Sequence, residues 1–486
     1  MTLHPLLEPD WIRAIGPELV LIAGGIVLAL LEAMSVRLRG IFAPLAILSI
    51  LGALVAEFTV VGGNFFGGTY QISPITRLFD FVFLLATLLA VMLSRDYMAR
   101  AQSETGEFYA LLLWGTVGMM MMAKGLELLI VILGLELLSI CIFVLVGSNR
   151  RAVISNEASL KYFLMGAFAT GFILYGTALF YGATGSTHLG ELASYMERTK
   201  VGDPILTVAF VLLIGGIGFK LALAPFHAWA PDVYQGAPTP VAAWLSVAPK
   251  AATLIALMRI LSALLPMSTQ SHWDSIISVL AILSMVIGNF VAVAQRDLKR
   301  MLAYSGIAHV GYMTVALIAV NADAVAAVAV YAITYALMNI GAFGVVSLLE
   351  KSQNESQTLD DIAGLGFRKP FYGLAMAIFM FSLSGLPPTA GFIAKVYVFK
   401  VAIDAGNTSI AIVAILTSIV SVYYYLRVVY YLYMKEAEDS TPPAIGGVFA
   451  KGALAISVVG TLVIGLMPTP LFNTALRAAG GLLRNQ

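Results

Sequence analysis

Stretches of about twenty apolar residues follow one another along almost the whole of this 486-residue chain. That is the length a helix needs to cross the hydrocarbon core of a bilayer, ~30 Å thick. In lipid every backbone N–H and C=O must find its partner inside the protein, so such a chain folds as a bundle of helices. We read about fourteen spans, near 15–34, 40–61, 75–94, 106–123, 126–147, 156–181, 205–234 (interrupted), 239–262, 273–294, 301–320, 325–349, 371–403 (interrupted), 408–434 and 448–467. Composition agrees, with 60% hydrophobic residues and only 11% charged, against about 25% charged in soluble proteins. The expected fold is an all-α polytopic membrane protein. No soluble domain is visible, since the longest polar segment, near 350–370, is only a loop.

Loops after odd-numbered spans hold Arg37, Arg39, Arg95, Arg100, Arg150, Arg151, Arg296, Lys299, Arg300, Lys351, Arg368, Lys369, Lys435 and Lys451. Loops after even-numbered spans hold Arg77, Lys124, Arg198 and Lys200. Positive charge marks the cytoplasmic side, so both termini are expected on the outer face. The opening segment MTLHPLLEPDWIRAIGPE lacks the basic region and small-residue cleavage site of a signal peptide. The first span is therefore expected to remain in the protein. The two interrupted spans lie five spans apart, the pattern of two five-helix units inverted in the membrane. The expected division is flanking helices over 1–105, a first five-helix half-channel bundle over 106–262, an inverted second over 263–434 and a last helix over 435–486.

Several chemistries are excluded. A net charge of +1 does not suit a nucleic-acid binder. The single Cys141 allows neither a disulfide framework nor a cysteine-ligated iron–sulfur cluster within the chain. The five histidines show no i, i+4 metal spacing, and neither GxGxxG after a strand-like run nor a P-loop occurs. Redox and nucleotide chemistry are expected elsewhere.

The informative residues are charges within the spans. Lys161, Lys220, Lys250 and Lys395 sit in otherwise apolar runs, where an ammonium costs at least about 3 kcal/mol. Lys220 in FKLALAPFH and Lys250 in SVAPKAA stand beside prolines, and SLSGLPPTAGFIAK places Pro387 and Pro388 two turns before Lys395. Pro225 cannot donate to the carbonyl of Leu221, and Pro387 and Pro388 free those of Leu383 and Ser384. Freed carbonyls at membrane depth need water or protein partners, which places these breaks in the interior beside a hydrated cavity. Burial disfavours the charged form of lysine, so modest changes around it can load and unload a proton. Glu136, in VILGLELLSI, is the main intramembrane carboxylate and is expected to pair with Lys220. His227 and His309 can bridge gaps, because imidazole both donates and accepts. Lys161, Lys400 and Arg427 also fit side chains that snorkel to the interface. Glu127, on the opposite helical face from Glu136, reads as interfacial, and the run Met119–Met122 as packing. Asp80 and Glu57 lie in or near spans without nameable partners. Together the charges point to a conductor of protons or cations.

FKLALAPFHAWAPDVYQGAPTPVAAWLSVAPKAA (219–252), RDLKRMLAYSGIAHVGYM (296–313) and SLSGLPPTAGFIAKVYVF (382–399) resemble the antiporter-like membrane subunits of respiratory complex I, the bacterial NADH-quinone oxidoreductase. The wording PDVYQGAP…LSVAPKAA looks like the N branch of that family, and the likeness runs over essentially the whole chain. The M branch carries a glutamate where this chain has Lys395, and the L branch a long lateral helix after its last span. The resemblance implies a fold of two inverted five-helix bundles, each with a broken helix. It also implies proton translocation by Glu136, Lys220, Lys250 and Lys395, with Lys161, His227 and His309 on the hydrated axis. NADH, FMN, iron–sulfur clusters and quinone would be handled by other subunits, leaving no cofactor or metal here. The implied partners are other complex I membrane subunits, further antiporter-like ones among them, and the lipid of a bacterial inner membrane, with no nucleic acid. Two other readings stand beside this: a subunit of a multi-subunit sodium/proton antiporter, and a scaffold whose lysines form static ion pairs.

Overall fold

The computed structural model describes residues 11–34, 40–101, 103–198, 203–264, 270–350, 357–436 and 446–480. Of the loop cations counted above, Arg37, Arg39, Lys200 and Lys351 lie outside these residues, as do both termini. Eleven helices among the described residues are long and apolar enough to cross a membrane, rather than fourteen. The remaining expected spans are Phe42–Glu57, which is shorter, Leu298–Leu317, which carries Lys299, Arg300 and His309, and the broken pair Pro370–Ser384 and Ala390–Asp404. The expected run 40–61 outlasts its helix because the chain leaves it at Phe58 and turns through Gly63 (φ 153°) into a small antiparallel hairpin, Gly63–Phe65 with Tyr70–Ile72.

Two helices form the centre. Nearly every residue of Thr239–Leu264, and all but the first two of Ala322–Leu349, are buried, and the two pack on each other. Both are apolar all round, as a helix surrounded by others must be. Lipid offers little hydrophobic drive for association, so close packing of small residues does that work. Ala322–Leu349 accordingly reads ADAVAAVAVYAITYALMNIGAFGVVSLL. A Cβ at its Gly344 would stand 3.1 Å from side-chain atoms of Leu93 and Leu454. Gly106–Lys124 and Leu128–Val146 cross in the same manner: a Cβ on Gly134 would lie 2.6 Å from the carbonyl of Gly118. Pro249 does not break its helix; Thr239–Leu264 runs through it, and Thr253 Oγ1 donates to the Pro249 carbonyl at 2.8 Å.

The inverted repeat shows in the loops. Glu127 bridges to His188 and, with the same separation along the chain, Asp297 bridges to Thr358. Around the first bridge Leu128 N–H donates to Thr187 and Leu189 N–H to Leu126; around the second Leu298 donates to Gln357 and Leu359 to Arg296. The two bridges sit at opposite ends of the bundle. The broken helices repeat too. Pro204–Leu221 ends with Ala222 in the left-handed region (φ 57°), Leu223 N–H donating to Gly218 and Ala222 N–H to Phe219. Pro370–Ser384 ends with Gly385 (φ 83°), Leu386 donating to Phe381 and Gly385 to Ser382. Both are Schellman caps. Each is followed by a cis proline peptide, Ala224–Pro225 or Pro387–Pro388, and then by a further helix, Trp229–Gly236 or Ala390–Asp404. Two short amphipathic helices, Leu189–Arg198 and Thr469–Ala479, complete the ends of the bundle.

Candidate functional site

The cap that ends Pro204–Leu221 leaves Lys220 in its last turn, buried and facing Leu128–Val146. Its Nζ donates to Ser139 Oγ at 2.8 Å and lies 5.8 Å from the Phe143 ring centre. Glu136 is half-buried and accepts from Thr170 Oγ1 at 2.7 Å. Glu136 and Lys220 feel each other electrostatically but share no hydrogen bond among the described residues. The expected pair is therefore one of charge across a gap, with Ser139 rather than Glu136 holding the ammonium. The crests Pro225–Ala228 and Pro387–Pro388 reach the surface of the chain in part, while the lysines beside them point inward.

Lys250 is buried midway along Thr239–Leu264. Its Nζ donates to the Gly306 carbonyl at 3.2 Å and lies 5.5 Å from the Tyr234 ring centre. A chain of aromatic rings separates it from Lys220: Phe143 to Tyr162 (5.0 Å), Tyr162 to Trp229 (4.4 Å) and Trp229 to Tyr234 (6.3 Å). A cation thus sits over the ring at each end of one aromatic chain.

Beyond Lys250 the surroundings turn polar. His309, fully enclosed, places Nδ1 2.7 Å from Tyr331 Oη and Nε2 3.0 Å from Tyr425 Oη. Tyr425 also hydrogen-bonds Ser305 Oγ. Asn289 Nδ2 donates to Tyr312 Oη at 2.8 Å, and Tyr424 Oη donates to Asn289 Oδ1 at 3.1 Å. Lys395 completes the row. Its Nζ donates to the Ser384 carbonyl at 3.0 Å, the one Pro388 leaves free, and to Ser418 Oγ at 2.9 Å. Ser418, Ser421 and Tyr425 form a polar stripe along Thr408–Tyr433 that leads from Lys395 to His309. Beside Lys395 a cavity of about 500 Å³ opens sideways through Val396, Ile403, Ile415 and Ile419.

The remaining expected residues lie apart. Lys161 is half-exposed and pairs with Glu157 (2.7 Å) and Asp232 (3.2 Å), the latter held also by Arg300 (2.8 Å). His227 is half-buried at the rim of the first break, with its ring edge toward Tyr304 and no contact to a lysine among the described residues. Lys400 pairs with Asp404 at the surface. Arg427 does more than snorkel: it donates to the carbonyls of Val293 and Gln295, closing the end of Gln270–Ala294. Glu127 bonds Thr187 at the start of its helix, Met119–Met122 are packing, and no metal-binding group of side chains occurs among the described residues.

Sequence reasoning missed three features. The tyrosines and serines around His309 look like ordinary apolar-helix residues until folding gathers them. Lys299, read as a loop charge, forms a buried pair with Glu350 at 3.6 Å, with Lys299 donating to the Ala237 carbonyl and Glu350 bonded to Thr239. Burial pushes the Glu350 carboxyl above the usual carboxylate range, against the pull of Lys299. Lys124, also read as a loop cation, is fully buried and supplies the partner that Asp80 and Glu57 lacked.

Comparison with known proteins bears on what this arrangement does. Residues 125–421 match the family model described as NADH:quinone oxidoreductase/Mrp antiporter, TM. Over 480 residues the chain is 42% identical to the NADH-quinone oxidoreductase subunit N of Trichlorobacter lovleyi, covering 96% of each. A chain of respiratory complex I from Thermus thermophilus is 36% identical and superposes with a TM-score of 0.81 over 94% of this chain and 98% of that one. A chain of the Mrp complex from Dietzia sp. superposes with a TM-score of 0.82 over 98% of each at 19% identity, a likeness of fold.

Proposed function

Because this chain belongs to the NADH:quinone oxidoreductase/Mrp antiporter family, as a proton-translocating membrane-arm subunit of NADH-quinone oxidoreductase of the subunit N type, we propose that its protons travel along Glu136, Lys220, Lys250, His309 and Lys395. The observation that carries this reading is that three buried lysines are each held by hydroxyl or carbonyl oxygens and ring faces, with no carboxylate bonded to any of them among the described residues. A lysine fixed by a carboxylate would be a static ion pair. One held by neutral oxygens can give up its proton without leaving a buried anion behind.

The second half of the path is a relay. Neutral imidazole has one N–H and one bare nitrogen, and both neighbours of His309 are hydroxyls that donate or accept. A proton arriving through one hydroxyl is taken up at one ring nitrogen and released from the other. The stripe Tyr425, Ser421, Ser418 then leads to Lys395. The first half differs in kind. Among the described residues the rings between Lys220 and Lys250 carry no continuous hydrogen-bonded chain, so they hold back leakage. Water entering that gap would complete the path. His227 and Lys161 flank this route, at the first break and at the lateral surface.

The redox groups and the quinone site belong to other subunits in this reading. The mouth beside Lys395 and the paired surface charges at Lys161 are where neighbouring membrane-arm subunits continue the path. The loop charges put both termini on the outer face. Lys220→Met tests the reading in the assembled complex reconstituted into vesicles. Proton yield per NADH and coupled electron transfer should both fall. A normal yield from a fully assembled mutant complex would overturn it.

A further inference from the structure

The path above leaves one interval without a carrier, that from Lys250 to His309. Lys250 Nζ rests on the Gly306 carbonyl at 3.2 Å, while the two ring nitrogens of His309 are taken by Tyr331 and Tyr425. Gly306 lies on Leu298–Leu317, three residues before His309. A Cβ there would stand 2.9 Å from Tyr335 Oη and 3.1 Å from Lys250 Nζ. Among the described residues no other group, beyond that helix's own backbone and the flanking Ser305 and Ile307, comes within 4 Å of that point. Hydroxyl and ammonium therefore both lie within about one hydrogen-bond length of the same point, on the bare face of the glycine.

Tyr335 is placed there by a face of Ala322–Leu349 that it shares with Tyr331 and Asn339, each one turn apart. Tyr331 bonds His309 Nδ1 at 2.7 Å, and the Tyr335 ring centre lies 4.9 Å from that of His309. Asn339 Nδ2 donates to Ser246 Oγ at 2.7 Å, one turn before Lys250 on its helix. The face is thus tied to the histidine's helix at one end and to the lysine's at the other, with Tyr335 between. The hydroxyls of Tyr331, Tyr425 and Ser305 are all bonded. Tyr335 Oη differs, being buried without a hydrogen-bond partner among the described residues. An unpaired hydroxyl in so enclosed a place weakens the fold, and phenylalanine would fill the same space without that penalty. What the oxygen offers in return is its place beside an ammonium held by one carbonyl and a ring face.

We propose that Tyr335 carries the proton from Lys250 to the His309 relay, and that Gly306 is bare so that ammonium and hydroxyl can meet. The flexible stem of Lys250 turns Nζ from the Gly306 carbonyl to Tyr335 Oη. One N–H bond of Lys250 breaks as an O–H bond forms on Tyr335. Tyr335 releases its own proton to the Tyr331 hydroxyl, one turn back on the same face, directly or through one water. Tyr331 in turn gives its proton to His309 Nδ1. Lys250 ends as a neutral amine and His309 as imidazolium, and both tyrosines keep a hydroxyl, so no phenolate accumulates. Loss of the Nε2 proton to Tyr425 then restores the neutral ring. This rests on the reading that protons pass through Lys250 and His309.

The test uses the whole complex in inverted membrane vesicles. Tyr335→Phe should assemble, keep electron transfer to an acceptor that bypasses the membrane arm, and survive heating at least as well as wild type, because only an unpaired hydroxyl is lost. Coupled NADH:quinone turnover and lumenal acidification should fall by at least about 10-fold, a modest part of what a positioned proton-transfer group contributes. The solvent deuterium effect on turnover should rise as this transfer becomes limiting. Gly306→Ala, which sets a methyl group between ammonium and hydroxyl, should slow turnover in the same way, and it carries the test should Tyr335→Phe fail to assemble. Tyr372→Phe, which removes another buried hydroxyl without a partner among the described residues, is the control for that loss. Turnover and a deuterium effect like those of Tyr372→Phe would overturn the proposal. So would a slow Tyr335→Phe whose loss follows earlier thermal inactivation, which would mark a packing role. Lys250→Met keeps the two claims apart. A normal proton yield there would fault the path itself, whereas a low yield beside wild-type rates in Tyr335→Phe would remove only this carrier.

Discussion

Removing one oxygen tests the relay most sharply. In Tyr425→Phe the ring stays and only the hydroxyl goes, so packing between Thr408–Tyr433 and Leu298–Leu317 is kept. The lost atom is the one 3.0 Å from His309 Nε2, and it also bonds Ser305. His309 is 1% exposed, so no bulk water replaces it. Leaving a buried polar atom unpaired costs about 1–3 kcal/mol. Felt wholly at the barrier for transfer between Lys250 and Lys395, that slows the step by roughly 5- to 150-fold. The assay is coupled NADH:quinone turnover and lumenal acidification in vesicles, normalised to assembled complex. Tyr372→Phe is the control, a buried tyrosine whose hydroxyl has no hydrogen-bond partner among the described residues. Tyr425→Phe should be slow and Tyr372→Phe close to wild type. Equal rates in the two variants would refute the role given to His309 and its hydroxyls.

Other outcomes follow from other contacts. Lys395→Glu, which keeps a titratable group against Ser418 and Ser384, should impair pumping less than Lys395→Ala; equal loss would argue against proton loading there. Lys299→Met strands Glu350 in a buried site and should destabilise the isolated complex by about 3–5 kcal/mol, while Lys299→Met with Glu350→Gln should recover most of it in a thermal-inactivation series. Gly134→Val drives a side chain into the Gly118 carbonyl and Met121. Overpacking of about 1–3 kcal/mol should show as reduced assembled complex on native gels, and unchanged assembly would contradict the close crossing.

The helices were legible because the bilayer demands length and apolarity, and both are local properties of sequence. Lys220, Lys250 and Lys395 were legible for the complementary reason, that a charge in such a run needs a cause. What escaped depended on assembly. Pro249 looked like a break, yet its helix is held from all sides and runs on. Lys124 and Lys299 sit at helix ends, where sequence cannot tell a solvated cation from one folded under a hairpin or beside a second helix. Tyr331, Tyr425 and Ser305 come from three helices, and nothing in any one of them signals that their hydroxyls meet at His309.

The same cap and cis proline, built twice and head to tail, have a consequence for direction. A device whose halves were true mirror copies would carry protons equally well either way. At matching places the halves disagree: Lys220 in the last turn of the first cap faces an apolar Leu383 in the second. At the same remove beyond the cis prolines, the first half has the surface acid Asp232 and the second the enclosed base Lys395. The asymmetry between the halves is therefore carried by a few exchanged side chains on a repeated frame, and swapping them between halves is the direct way to ask whether they set the direction of transport.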